Sequence, residues 1–229
     1  MNVRDPFVVA IDGPAGAGKS TAAKALASRL GYAFLDTGAI YRTVALVGRR
    51  RGLDWSDGPG LGALAQRLDV RFVPEGGVNR VIADGEDVTR DIRTPEMSDG
   101  ASRVSALPEV RAALLGLQRR LAAAGELVAE GRDMGTVVFP DAAAKFFLTA
   151  SAAERARRRA LELAASGRPT PIDVVLADIE ERDERDRNRA VSPLRKADDA
   201  IEIDSEAMGA DQVVERMLSV ISGLRARRG

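Results

Sequence analysis

The sequence predicts an α/β fold: a parallel sheet flanked by helices, with a small antiparallel β meander inserted. Three observations carry this. Short apolar runs rich in β-branched residues alternate with stretches of helical periodicity. A Gly-rich turn joins the first such run to the first helix, and between residues 54 and 100 the alternation gives way to short runs broken by Gly-Gly and Asp-Gly.

Taken in order, Phe7-Val8-Val9-Ala10-Ile11 lies between Pro6 and a Gly/Pro cluster and reads as a buried parallel strand. Lys19 to Leu30 places Ala22, Ala23, Leu26, Ala27 and Leu30 at helical spacing and stops at Gly31. Tyr32 to Leu35 is a second strand, and Asp36-Thr37-Gly38 supplies turn and capping chemistry for a helix from about Ala39 to Arg50. A weakly helical stretch runs to Leu68. Val70 to Val73, Gly76-Gly77, Val81 to Ala83 and Asp84-Gly85 then describe the meander. Helices follow over Pro95 to Ser105 and Pro108 to Ala124, the second with Pro in its first turn. Leu127 to Ala129, Lys145 to Leu148 and Ile201 to Ile203 are further strands, and Ala152 to Ala165, Ile172 to Arg187 and Asp211 to Leu224 further helices. No internal repeat or low-complexity linker interrupts the chain.

The 229 residues contain no cysteine and no histidine. Disulfides, thiol nucleophiles, imidazole bases and Cys/His metal sites are therefore excluded. Catalysis falls to carboxylates, hydroxyls, Lys, Arg, backbone amides or a hard, oxygen-liganded cation. Lys plus Arg equals Asp plus Glu at 34 each, which argues against a polyanion binder and so against a nucleic-acid polymer as partner. The balance hides an asymmetry: residues 1 to 53 carry eight basic and three acidic groups, residues 54 to 100 five and ten. Met1 to Asp5 are polar and no apolar stretch reaches the ~20 residues of a membrane span. A cytoplasmic protein with no membrane partner is expected, and, with no oligomerisation stripe evident, a monomer.

Gly13-Pro14-Ala15-Gly16-Ala17-Gly18-Lys19-Ser20 fits Gly-x-x-x-x-Gly-Lys-Ser between a strand and a helix, the context that a phosphate-binding loop needs; Thr21 follows it. Glycines let successive backbone N–H groups face a polyphosphate, and the helix N-terminus adds positive potential. Lys19 can bridge the β- and γ-phosphates of ATP and Ser20 can ligate Mg²⁺. The spacing does not suit a dinucleotide-binding Gly-x-Gly-x-x-Gly turn.

The loop alone leaves kinase, GTPase, motor and transporter ATPase open. Absent are an Asn-Lys-x-Asp guanine reader and an apolar strand ending in Asp-Glu. Present are arginines at Arg42, Arg111, Arg132 and through 182 to 189. Several guanidiniums around a phosphate loop suit a kinase with two phosphorylated ligands, since phosphoryl transfer is catalysed mainly by positioning and charge. A phosphate monoester acceptor is already ionised at neutral pH and needs no base, so the missing histidine leans toward a nucleoside monophosphate; for a hydroxyl acceptor, Asp36 or Asp133 would be the base.

Ile11-Asp12-Gly13-Pro14, Asp36-Thr37-Gly38-Ala39-Ile40-Tyr41-Arg42, Glu130-Gly131-Arg132-Asp133-Met134-Gly135-Thr136-Val137-Val138-Phe139-Pro140 and Arg182-Asp183-Glu184-Arg185-Asp186-Arg187-Asn188-Arg189 together resemble the bacterial cytidylate kinases, nucleoside monophosphate kinases of the P-loop NTPase class, over almost the whole chain. The resemblance implies ATP-dependent, Mg²⁺-assisted phosphorylation of CMP and dCMP. It also implies a core over 1–53 and 101–229, a short helical lid near 150–190, and an inserted part of the monophosphate-binding region over 54–100. By position, Thr37, Arg42, Arg132 and Arg189 would hold the acceptor phosphate, with Asp36 beside them. Ser102, Arg111 and Asp133 would read the cytosine edge, and Tyr41, Arg182 and Asp186 would contact the sugar. Of the lid cluster Arg155, Arg157, Arg158 and Arg159, Arg158 is taken as the clamp on the donor phosphate. Thr37 stands where many relatives have Ser. Rival readings are a P-loop kinase of a hydroxyl acceptor, shikimate-like or nucleoside, and a nucleotide-dependent switch.

Overall fold

A computed structural model of the chain describes residues 6–75, 78–122 and 125–227. The polar start at Met1 to Asp5, the Gly76-Gly77 turn and the expected helix end at Ala124 lie outside the described residues. Along the chain run β1 (Val8–Asp12), α1 (Lys19–Leu30), β2 (Ala33–Asp36), α2 (Thr37–Arg50), α3 (Gly58–Arg67), β3 (Val70–Glu75), β4 (Val78–Ala83), β5 (Glu86–Asp87), α4 (Pro95–Val104), α5 (Pro108–Ala122), β6 (Leu127–Glu130), β7 (Ala144–Thr149), α6 (Ala152–Ala165), α7 (Ile172–Asn188), β8 (Ile201–Asp204) and α8 (Ala210–Ala226). A 3₁₀ turn at Asp91–Arg93 and a π turn at Met134–Val138 complete the set.

Two compact units are present: residues 1–35 with 121–229, and residues 36–120. The first holds a five-stranded sheet in the order β2-β6-β1-β7-β8, with β1 paired in parallel to β6 and β7, and β7 to β8. Every residue of β1 and β6 is buried, which is why both read as unbroken apolar runs. Leu26 of α1 and Met217 of α8 pack with Ile11, Phe146 and Leu148 of the sheet in one core, each of them 1% exposed or less. Sequential strands go to opposite sides of β1, so the chain reverses direction there, and in open α/β sheets ligands bind at the carboxyl ends of the strands at such a point. A smaller core of Ala156, Leu163, Val175 and Ile179 joins α6 to α7.

In the second unit α2 packs on α3 and α4, and β3-β4-β5 form the antiparallel meander. Trp55 donates to the Ala45 carbonyl at 3.0 Å, and its ring lies where a Cβ on Gly100 would stand, so α4 needs glycine there to approach it. The helix expected from Ala39 begins two residues earlier, at Thr37. Asp36 caps it by accepting the Ala39 N–H at 2.8 Å, and a cap at 36 starts the helix at 37. The π turn at Met134–Val138 has no counterpart in the periodicity of the sequence. No described helix is long and apolar enough to cross a membrane.

Candidate active site

The phosphate loop leaves β1 at Gly13, whose φ is 145° and where a Cβ would stand 2.1 Å from the Leu148 carbonyl oxygen of β7. Only glycine fits so close an approach of two backbones. Gly18, with φ 86°, caps α1 without a side-chain acceptor, and no acidic residue stands in the first turn of that helix. The N-terminal end of a 12-residue helix therefore keeps its positive potential for an anion. Lys19 is buried and donates from Nζ to the Pro14 carbonyl at 2.6 Å. Burial pushes its pKa down to about 7, with Arg132 and Arg182 adding to the shift and Glu130 and Asp12 opposing it. A polyphosphate beside it favours the protonated form. Ser20 and Thr21 are exposed on the first turn of α1.

Behind the loop, Asp12 accepts the N–H of Met134 and that of Gly135, each at 2.8 Å. One buried carboxylate thus closes the start of the π turn, immediately after Arg132 and Asp133. Burial raises the Asp12 pKa to about 6, against the pull of those two N–H groups. Arg132 donates from Nε to Asp186 of α7 at 2.7 Å. Arg132 and Arg182 hold the Asp186 carboxyl below the usual carboxylate range although burial works the other way. Arg189 and Asp133, both buried, approach to 3.6 Å. Lys19, Arg132, Asp133, Arg182, Asp186 and Arg189 are therefore gathered in one unit.

The arginines of α6 divide their work. Arg158 donates to Glu154 at 2.8 Å, to Ser205 Oγ at 3.1 Å and to the Ser205 carbonyl at 2.6 Å, and Ser205 Oγ in turn lies 3.1 Å from the Ala17 carbonyl of the loop. Arg155 reaches the loop itself: it donates to the Ala15 carbonyl at 3.1 Å and to Ala150 at 3.0 Å, and pairs with Asp183 at 2.7 Å. Arg157 and Arg159 make pairs on the helix surface with Glu154 and Glu162.

In the second unit Asp36 uses both carboxylate oxygens. Oδ1 caps α2, and Oδ2 accepts Nη2 of Arg42 and Nη2 of Arg93, each at 2.9 Å. The two guanidiniums outweigh burial and lower its pKa. Thr37 is buried at the start of α2. Tyr41 lies under Arg111, whose guanidinium carbon is 5.7 Å from the ring centroid and whose Nη1 donates to the Ser105 carbonyl at 3.2 Å. Ser102 Oγ is buried with no hydrogen-bond partner, on a side chain within three residues of the Ser105 that holds Arg111. An orphaned hydroxyl there suits a ligand's polar edge.

Asp12, Arg93, Glu130, Arg155 and Asp183 did not stand out as site candidates in the sequence. Asp12, Glu130 and Asp183 lie inside the strings that carry the resemblance and Arg155 in the run of arginines at 155–159, but the groups they meet are tens of residues away. Among the described residues no group of three or more carboxylates gathers to cage a cation. The Ser20 hydroxyl at the end of a phosphate loop nevertheless fits Mg²⁺, which usually takes few protein oxygens and completes its shell with phosphate oxygens and water.

A Gly-x-x-x-x-Gly-Lys-Ser loop between β1 and α1, at the reversal point of a parallel sheet and ringed by guanidiniums, defines a P-loop protein equipped for phosphoryl transfer. The chain belongs to the cytidylate kinase family, whose profile matches residues 9–223. It is 53% identical over 214 residues to a cytidylate kinase of Vibrio cholerae, covering 93% of this chain and 95% of that one. A cytidylate kinase of Syntrophotalea carbinolica is 51% identical over 216 residues, 94% and 92% of the two chains. One of Geobacter sulfurreducens is 51% identical over 218 residues, 95% and 94%.

Proposed function

We propose that the protein transfers the γ-phosphoryl group of ATP to CMP and dCMP, giving CDP and dCDP by in-line displacement. It is a (d)CMP kinase. The observation that supports the assignment of residues is the set of guanidiniums around a P-loop lysine, Arg132 and Arg182 acting on Lys19 and Arg189 beside Asp133, in a chain of this family.

In this reading Gly13 to Thr21 bind the donor phosphates and Lys19 stays with the migrating charge. Ser20 would hold Mg²⁺, which would supply charge neutralisation on the polyphosphate. Thr37, Arg42, Arg132 and Arg189 hold the acceptor phosphate, whose second ionisation near ~6 leaves the attacking oxygen anionic at neutral pH with no base required. Ser102, Arg111 and Asp133 read the cytosine edge, where an amino donor sits beside two acceptors; uracil places a carbonyl against the carboxylate and is disfavoured. Arg182, Asp186 and Tyr41 contact the sugar. Asp36 positions Arg42 rather than acting as a base, because both its oxygens are engaged.

Residues 54–100 form the insert of the acceptor-binding region, and residues 150–190 a lid that excludes water and suppresses ATP hydrolysis. The enzyme works as a cytoplasmic monomer on small nucleotides. A coupled ADP-release assay over CMP, dCMP, UMP, AMP, shikimate and nucleosides tests the reading. Turnover on CMP and dCMP far above the rest is expected, and turnover confined to a hydroxyl acceptor overturns it. Partner binding that depends on nucleotide, without phosphoryl acceptance, would identify a switch.

A further inference from the structure

Arg93 lies in the stretch that breaks the α/β alternation, on the 3₁₀ turn Asp91–Arg93, and neither the motifs nor the resemblance gives it a task. Its guanidinium is nevertheless tied to the same oxygen as that of Arg42. Both arginines donate from Nη2 to Oδ2 of Asp36 at 2.9 Å, while Oδ1 is spent on the cap of α2. One carboxylate is thus shared by two guanidiniums. The Asp36 side chain is 5% exposed and that of Arg42 14%, whereas that of Arg93 is 48% exposed. A carboxylate in the interior therefore holds an arginine whose side chain is about half exposed.

The surroundings fix Arg93 in place. Ile92 is fully buried, Thr94 caps α4 by accepting the Met97 N–H at 3.2 Å, and Pro95 starts that helix, so the residue projects from a turn locked on both sides. On the other flank Gly38 has no side chain, and a Cβ there would stand 3.0 Å from Nη1 of Arg42, so the opening turn of α2 leaves room for the guanidinium. A planar fork held by a buried carboxylate matches the bidentate geometry of phosphate and loses little entropy on binding it.

We propose that Arg93 is a further guanidinium for the acceptor phosphate, held beside Arg42 by their shared carboxylate Asp36, so that the 54–100 stretch supplies a group for phosphate recognition. The proposal rests on the reading that Thr37 and Arg42 hold that phosphate. A residue that merely braced the turn would affect nucleoside and nucleotide alike, whereas a phosphate ligand affects only the nucleotide.

The test compares CMP binding by calorimetry with cytidine binding, measured by competition, in the full-length protein and its variants Arg93→Ala, Arg93→Lys and Arg42→Ala. Loss of charged hydrogen bonds of this kind weakens binding by roughly 10- to 100-fold. Arg93→Ala is expected to weaken CMP by that factor and to leave cytidine and the KM for ATP within about twofold. Arg93→Lys, which keeps the charge without the fork, should lose an intermediate amount and covers the case in which the alanine variant does not fold. Equal weakening of CMP and cytidine in the Arg93 variants, or no weakening of either, overturns the proposal. If Arg42→Ala selectively weakens CMP while the Arg93 variants do not, the proposal alone fails. If neither position matters for CMP, the acceptor-phosphate reading fails with it.

Discussion

Arg132 donates from Nε to the Asp186 carboxylate at 2.7 Å, across 54 residues of sequence. The bond ties the Gly-Arg-Asp-Met-Gly string to the arginine-rich end of α7, two segments that stand out separately in the sequence. Asp186 is expected to meet the sugar, yet its carboxylate also aims the guanidinium that is expected to meet the phosphate. Asp186→Ala would take the hydrogen-bonded carboxylate from a largely buried guanidinium and leave it the attraction of Glu130 and Asp183 alone, a loss on the order of 3 kcal/mol in stability, with kcat/KM for CMP falling by about 100-fold. Because the two residues act as a unit, a double-mutant cycle with Arg132→Ala should show strong coupling in kcat/KM. Additive losses would separate them.

Asp12 offers a prediction in pH. Burial raises its pKa from 3.8 to about 6, so between those values the folded protein holds a proton that the unfolded chain has lost. Stability from this group is present at the acid end and is lost as pH rises through about 6, in total about 3 kcal/mol. Asp12→Asn removes that slope. Urea unfolding of wild type and variant at pH 4.5 and pH 7 should show the wild type losing ground to the variant on going to the higher pH. A pH-independent difference would mean that Asp12 is ionised throughout.

Gly13→Ala places a Cβ 2.1 Å from the Leu148 carbonyl at a φ of 145°. Either β7 or the loop must move, at a cost of roughly 3 kcal/mol or more. ATP affinity, read by equilibrium titration, should drop at least about tenfold even if the fold survives. Unchanged affinity would remove the loop from donor binding.

Arg155 and Asp183, each 3% exposed, pair at 2.7 Å while Arg155 also holds the Ala15 carbonyl. Arg155→Met leaves the buried Asp183 with only the longer, 3.4 Å contact from Arg187 and should cost about 3 kcal/mol by denaturant unfolding. Adding Asp183→Asn removes the poorly compensated charge and should restore much of the stability. The KM for ATP should stay raised in the double variant, because nothing then steadies Ala15. Full recovery of the KM would assign Arg155 to the fold alone.

The parts of the protein that were legible in the sequence are those whose chemistry is local. A strand, Gly-rich turn and helix with Lys and Ser at the right spacing announce the phosphate loop because its backbone geometry is dictated by adjacent residues. The meander is legible for the same reason, from its alternation. The start of α2 lies two residues before Ala39 because Asp36, Thr37 and Gly38 could each serve as cap, and the hydrogen bond to Ala39 decides between them. The π turn was invisible, since what closes it is Asp12, more than a hundred residues away. Among four arginines within one helix, spacing could not tell that Arg155 turns inward while Arg157 stays on the surface. Arg93 carries no local signal, because what sets it apart is that it shares Oδ2 of Asp36 with Arg42.

The most direct measurement follows the phosphorus atom. ATP labelled on its γ-phosphate is incubated with the enzyme, Mg²⁺ and an equimolar mixture of CMP, dCMP and UMP, and the products are separated by chromatography. Label is expected in CDP and dCDP, with little in UDP and almost none released as inorganic phosphate. Label found chiefly in inorganic phosphate, or in UDP as readily as in CDP, would overturn the assignment.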